Sequence, residues 1–576
     1  MLSATLLATP PPAATLPPVA TPAPPRTITW ASIERTLPRL DLLAALLLTV
    51  VAASLHWFLY GQHFPLWRDE VNTTQLATFP TFAETWKFLS YDSCPILFPG
   101  LVRAWTSVLP PSGDWNLRLL GFGIGLTILG AFWLCVRKLG GRVPLLTVAL
   151  LGFNPAFIRY GDSVRPYGLG ILMALLFLLT LWRVVESARP GRILLAAAAG
   201  ILAVNSLFYN AVLVLAICVT GAAVVARDKR WKHATILLAI GLPAALSLLC
   251  YGAMIHEQHR WGFLLRYPVT VSWLWQRLSD VTGSPDPLGI WAWSALFLGL
   301  TGWTAYRVYL RKQPVREPGD RAAAFAVGVL LIGTVGYGLF LMVLNYRTQP
   351  WYYVTLMALA AVCLDVLYGR LIATAGPNAP RWQLARLALV FALVMLTYLQ
   401  TKPDLLIRPT NLDIVAAEVT ARADKDDLII HTRWECAISF GHYYHGVAAQ
   451  ETLPPLADHR LHRYDQVMAQ MMTPDAAKPV LDRMEKTLRD GHRIWLVGKP
   501  LFATAQTLPP VLKPLTLSAQ GKPTMSGDYY VSWVMQACYL LEEHAAQVES
   551  IPVSAHGPVS NYENLSLSVL QGWTTN

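Results

Sequence analysis

The sequence predicts a polytopic α-helical membrane protein of about eleven transmembrane helices, followed by a C-terminal extracytoplasmic α/β domain. Three observations predict it. The 576 residues are 54% apolar and only 14% charged, where soluble globular chains carry roughly 25% charged residues. The apolar residues gather into runs long enough to cross a bilayer, at roughly 20 residues per crossing. Basic residues collect in every second loop between those runs, and the composition turns ordinary after residue 401. A single water-soluble domain is excluded. So is a disordered chain, which needs low hydrophobicity and high net charge.

The formal charge of +11 would hint at nucleic acid in a soluble protein. Here cytoplasmic loops account for it, since they collect Lys and Arg, and no nucleic-acid partner is expected. Seven cysteines, at positions 94, 135, 218, 250, 363, 436 and 538, are too few and too scattered for a disulfide framework or a CxxC zinc site.

Taken in order, residues 1–28 are rich in Pro, Ala and Thr, with no positive charge before Arg26. They lack the basic start and unbroken apolar core of a signal peptide, so residues 1–40 read as a disordered cytoplasmic tail. Apolar runs follow at 41–60, 118–136, 144–160, 166–184, 193–209, 211–226, 234–255, 288–306, 322–345, 350–369 and 383–400. Each is expected to be a helix, because a chain in lipid must satisfy its own backbone. Only a tight turn near Asn205, Tyr209 and Asn210 separates the fifth run from the sixth.

Orientation follows from the basic residues. One set of loops holds Arg26, Arg35 and Arg39, then Arg137, Lys138 and Arg142, then Arg183, Arg189 and Arg192. The alternation continues through Arg227 to Lys232, Arg307 to Arg321, and Arg370 to Arg386. Such loops are cytoplasmic. The N-terminus is then inside and everything after residue 401 outside, as in a multi-pass protein of the bacterial inner membrane with a periplasmic C-terminal domain. Merging 193–226 into one span would put the later loops on the wrong side. The long segments 61–117, 256–287 and 402–576 all fall on the outer face, where function is expected. The membrane domain is 41–401 and the soluble domain 402–576.

In the soluble domain, Leu428-Ile429-Ile430 reads as a buried strand, Trp434 to His445 as helical, and Arg493–Val497 and Tyr529–Val534 as two further strands. Alternating elements of this kind suggest a small α/β fold. Cys436 and Cys538 lie in a disulfide-permissive compartment, either as a pair or as two free thiols.

Candidate chemistry begins directly after the first span, at Trp67-Arg68-Asp69-Glu70. Acidic residues at a membrane boundary mark a candidate site; an interfacial helix start is the competing reading, because the helix dipole favours acids there. Neighbouring helical residues point ~100° apart, so one of Asp69 and Glu70 can be a working base while the other holds backbone or a metal. Asp92 follows in Tyr91-Asp92-Ser93-Cys94-Pro95, then Arg118 at the start of span two. Asp162-Ser163-Val164-Arg165-Pro166-Tyr167 forms the next outward turn. Pro166 suits a helix N1 position, and Arg165 reads equally as an interfacial snorkeller. The loop 256–287 carries His256, His259, Arg260 and Arg266. The two histidines are i, i+3 and not the i, i+4 pair of HExxH. Outer-face arginines suit a lipid phosphate, which guanidinium grips bidentately. Tyr346 and Arg347, just outside span nine, join that candidate site.

Together these residues resemble the GT-C glycosyltransferases. The first outer loop starts with Asp69-Glu70, continues with Asp92-x-x-Pro95-x-Leu97, and is followed by Arg165-Pro166-Tyr167 at the third outward turn. The nearest resemblance is to the bacterial family-39 enzymes, relatives of protein O-mannosyltransferase and aminoarabinose-lipid A transferase. It covers roughly residues 40–400, and the terminal domain resembles the periplasmic domain of those enzymes. The resemblance implies Asp69 as catalytic base and Asp92 as the second acidic, substrate- or metal-associated position. Cys94 stands where the family often has His or Pro, and Ser163 where it commonly has Glu, with Asp162 one residue off.

The resemblance further implies a polyprenyl-phosphate-linked sugar donor in the outer leaflet and an acceptor hydroxyl on a glycan, lipid or protein. A single base with no carboxylate nucleophile implies inversion through an oxocarbenium-like transition state. Catalytic candidates are Asp69, Glu70 and Asp162; donor-phosphate candidates are Arg165, Arg260, Arg266, Tyr346 and Arg347. Asp92, His256 and His259 are substrate- or metal-associated candidates, with a divalent cation as the open cofactor question and no metal assigned. The alternative is a transporter or flippase of lipid-linked sugars, which predicts mid-membrane charges and two related halves. The near charge-free spans and the lack of an internal repeat weigh against it.

Overall fold

The computed structural model describes residues 30–109, 113–282, 287–307, 318–501, 509–516 and 525–575. Most of the proline-rich start lies outside them. The first helix, Trp30–Tyr60, begins ten residues inside the segment expected to be a tail.

Nine described helices are long and apolar enough to cross a membrane: Thr36–Tyr60, Asp114–Gly140, Pro166–Glu186, Asn210–Arg227, Trp231–Trp261, Leu288–Ala305, Gly319–Leu344, Val354–Thr374 and Gly376–Leu405. The chain is a multi-pass membrane protein. Pro190–Ser206 is a shorter apolar helix at the expected fifth run, and Leu207–Tyr209 supplies the tight turn to the sixth. Asn210 closes it, its amide donating to Gly170 O and Ala203 O at 3.0 Å each.

The expected span 144–160 is corrected to two short helices, Leu145–Leu151 and Pro155–Gly161. Asn154 causes the break. Its side chain caps the second helix by accepting from Phe157 N at 2.9 Å, ahead of a proline at N1, which cannot continue the first helix's hydrogen-bond ladder.

The two ends of the bundle differ. At one end, Arg386 is buried between Asp365 (3.4 Å) and Asp41 (4.0 Å), and Arg370 pairs with Asp320 and Arg321 with Asp228. The first long loop, the 248–282 segment and the C-terminal domain meet at the opposite end. There Tyr443 Oη accepts from Leu66 N (2.6 Å), Gln258 donates to Ser90 O (2.9 Å), and Trp261 stacks on Tyr464 with centroids 4.9 Å apart.

The described residues of the C-terminal domain form five strands: β1 (Leu428–His431), β2 (Ala449–Thr452), β3 (Ile494–Val497), β4 (Ala545–Ile551) and β5 (Leu567–Trp573). Their order is β2-β1-β3-β5-β4. β1 runs parallel to β2 and β3, and β5 antiparallel to β3 and β4. β1 and β3 are buried on both faces. Leu428, Ile430, Ile494 and Leu496 enter one core, which also takes Trp261 and Leu264 from the membrane domain, while Ile429, Trp495 and Val497 enter the other.

Tyr529–Val534 is not a strand but part of the helix Met525–His544. The residues it buries, Tyr529, Trp533, Val534, Ala537, Cys538 and Leu541, recur at helical spacing, and an aromatic and β-branched run masked that period. Cys436 and Cys538 are free thiols, buried in separate cores.

Candidate functional site

The site is organised by the helix Arg68–Ala77, whose first turn carries Asp69 and Glu70. The ~100° between neighbours sends the two carboxylates into different environments. Glu70 is buried. Its oxygens accept from Arg118 Nη1 (2.8 Å) and Nη2 (2.7 Å), from Val164 N (2.9 Å) and from Trp67 N (3.3 Å). It ties the first loop to the second span and to the Arg-Pro-Tyr turn, and it does not face the same space as Asp69.

Asp69 lines a cavity of about 670 Å³ between the membrane helices and the C-terminal domain. Among the described residues its carboxylate makes only loose contacts: Arg68 Nε lies 3.4 Å away and His462 Nε2 3.9 Å away. The other carboxylates on the cavity wall are closely held. Asp92 accepts from Asn72 Nδ2 (2.9 Å), Thr73 Oγ1 (2.7 Å), Cys94 Sγ (3.1 Å) and Arg165. Glu435 is gripped by Arg433 (2.7 Å) and Arg68 (3.2 Å), and burial's upward push on its pKa is outweighed by these guanidinia, so the pKa falls.

Arg165 is a buried tether and not a snorkeller. Placed before Pro166 at the helix start, it reaches Asp92, Thr73 Oγ1 and the Asp69 carbonyl (3.0 Å). Cys94 occupies the inner wall, where burial first, and then the Asp92 carboxylate, push its thiol pKa up.

Arg266, Tyr346 and Arg347 also line this cavity. Two distant segments bring them together. Arg266 and Tyr346 form an antiparallel bridge, Tyr267 N donates to Asn345 O (2.9 Å), and Arg347 N to Leu265 O (3.4 Å). Arg347 lies over the Tyr267 ring at 5.8 Å. Among the described residues neither Arg266 nor Arg347 has a carboxylate partner, so one rim carries two uncompensated guanidinia.

Besides Glu70, four of the residues singled out from the sequence lie elsewhere. His256, His259 and Arg260 are exposed on the helix Gly252–Trp261, and Arg260 pairs with Glu257 (3.2 Å). Gln258 and Trp261, three residues apart, form that helix's inward face, which turns the other three outward. Asp162 belongs to a separate cavity of about 260 Å³ that also takes in Glu70 and Arg118, and there it accepts from His56 Nδ1 at 2.7 Å. Among the described residues no group of three or more His, Cys, Asp or Glu is placed to hold a metal ion. Asp92 is engaged by Arg165 and by neighbouring neutral donors.

The C-terminal domain supplies Arg433, Glu435, His462, Tyr464 and Tyr562 to the cavity wall, none of them foreseen from the sequence. Arg68 N donates to Glu563 Oε1 (3.0 Å), and His462 N to Asn72 Oδ1 (2.9 Å). Burial pushes the Glu563 pKa up to about 7 against the pull of Arg68. Burial pushes His462 down to about 4.

No family model matches the sequence, and no curated protein matches it. Among solved structures the chain is similar to ArnT from Cupriavidus metallidurans bound to undecaprenyl phosphate, with 15% identity, a TM-score of 0.47, and 78% of this chain and 92% of that one covered. It is also similar to the Archaeoglobus fulgidus oligosaccharyltransferase tethered with an acceptor peptide, with 10% identity, a TM-score of 0.48, and 92% and 74% covered. A third similar structure is the arabinofuranosyltransferase AftD from Mycobacteria, with 13% identity, a TM-score of 0.43, and 91% and 40% covered. At 10–15% identity the likeness concerns overall fold alone.

Proposed function

We propose that the protein is a GT-C-type glycosyltransferase of the bacterial inner membrane, with its N-terminus in the cytoplasm and its C-terminal domain in the periplasm. It transfers a sugar from a polyprenyl-phosphate donor to an acceptor hydroxyl at the outer face. One observation carries the reading: a single cavity holds a loosely engaged carboxylate, Asp69, together with two guanidinia, Arg266 and Arg347, that lack a carboxylate partner among the described residues.

Each part has a task. The acceptor oxygen attacks the anomeric carbon, the bond from that carbon to the phosphate oxygen breaks, and polyprenyl phosphate leaves with the bonding pair. The acceptor proton passes to Asp69. Arg266 and Arg347 stabilise the charge arriving on the phosphate. Arg347 follows the end of the helix Pro318–Leu344 by three residues. The exposed Leu331, Val335, Leu339 and Val343 form an i, i+4 row leading to it, an apolar lane for a polyprenyl chain. Asp92 and Arg165 hold the first loop against the third turn, and Glu70 and Arg118 brace the helix that presents Asp69. With Asp92 and Glu435 ion-paired, no second carboxylate on the described wall is free to act as nucleophile, and transfer inverts the anomeric centre.

The test is mass spectrometry of envelope lipids and glycans with and without the gene, followed by complementation. Asp69→Asn keeps the shape and loses the base, so transfer falls by ~10²–10⁴-fold while the protein still folds. An unchanged envelope on deletion, or full activity of Asp69→Asn, refutes the reading.

A further inference from the structure

We infer that His462, contributed by the C-terminal domain, binds the acceptor hydroxyl jointly with Asp69, so that the acceptor site is shared between the two domains. The inference rests on the glycosyltransferase reading above and deepens it.

His462 Nε2 and Asp69 Oδ1 face each other across 3.9 Å, too far for a direct hydrogen bond. A hydroxyl oxygen about 2.8 Å from each atom fits between them. Such an oxygen donates its proton to the carboxylate and accepts from an imidazole N–H. One lone pair then remains to attack the anomeric carbon. A neutral imidazole with its proton on Nε2 is the form this needs. Desolvation keeps the ring neutral, with its pKa pushed down to about 4. Among the described residues the ring makes no hydrogen bond to protein, although it lines the cavity.

The position is built. His462 N donates to Asn72 Oδ1 at 2.9 Å, and the Asn72 amide donates to Asp92 Oδ1 at 2.9 Å and to Tyr91 O at 3.2 Å. Asn72 lies three residues after Asp69 on one helix, so the loop bearing His462 is registered against the helix bearing the base. Trp434 packs edge-on to the imidazole (centroids 6.3 Å apart) and Tyr464 lies tilted to it (6.0 Å). These aromatic walls hold a ring that has no polar anchor of its own among the described residues.

The experiment uses a deletion strain carrying the wild-type gene, Asp69→Asn, His462→Ala or His462→Gln. It reads the initial rate of product formation in isolated membranes, with undecaprenyl phosphate binding and thermal unfolding measured on the purified full-length proteins. His462→Ala should bind undecaprenyl phosphate as wild type does and lower the rate roughly fivefold or more, the worth of one hydrogen bond. His462→Gln, which restores an N–H donor, should recover most of that rate. A wild-type rate in His462→Ala beside a dead Asp69→Asn overturns the inference and leaves the glycosyltransferase reading intact. Equal losses in His462→Ala and His462→Gln, or a loss that tracks a fall in unfolding temperature, assign the ring to packing and overturn it too. Full activity of Asp69→Asn removes the underlying reading instead.

Discussion

Replacing Arg118 by methionine should destabilise the protein far more than replacing a surface arginine, because of what it leaves behind. The Glu70 side chain is 1% exposed and the Arg118 side chain 16%. Two of the four hydrogen bonds to the Glu70 carboxylate come from Arg118, at 2.8 and 2.7 Å. Methionine fills much of the same volume but removes both bonds and the charge paired with Glu70. Stranding one partner of a buried ion pair costs ~3–5 kcal/mol. Changing Glu70 to glutamine as well removes the stranded charge. The amide oxygen can then serve Val164 N or Trp67 N but not both fully, leaving a residual cost of ~1–3 kcal/mol. The double variant should therefore be more stable than Arg118→Met alone. The assay is a double-mutant cycle by denaturant unfolding in detergent micelles. A cost below about 1 kcal/mol for Arg118→Met, or strict additivity of the two changes, would show that the pair does not brace the first loop.

Glu563 has a folded pKa of about 7, above its usual 4.5, so its share of stability is present below pH 4.5 and lost as pH rises through 7. His462 has a folded pKa of about 4, below its usual 6.5, so its share is present above 6.5 and lost as pH falls through 4. The two slopes oppose each other between pH 4.5 and 6.5. Glu563→Gln should therefore gain stability with rising pH in that window, and His462→Gln should lose it, as unfolding followed over that range will show; parallel slopes in the two variants contradict the assignment. Arg266→Ala and Arg347→Ala should each raise the apparent KM for the lipid donor about tenfold, consistent with loss of a charged hydrogen bond, and unchanged donor kinetics in both would place the phosphate elsewhere. A reporter fused after residue 401 should be active outside the cytoplasm, and cytoplasmic activity would reverse the orientation.

The sequence by itself determined the membrane class, the positions of nearly all the apolar helices, and the split between Asp69 and Glu70. These depend on run length, on loop charge and on the angle between helical neighbours, all of which act over a few residues. Tertiary structure alone decided which carboxylate would be bound and which left open, because Arg118 lies 48 positions from Glu70. It also turned His256, His259 and Arg260 away from the cavity, since the packing of Trp261 and Gln258 sets which face of their helix points inward. His462 and Glu563 meet the first loop across 390 and 495 positions. No local period marks such residues, because their place is set by how the strands and helices of one domain dock on the loop of another.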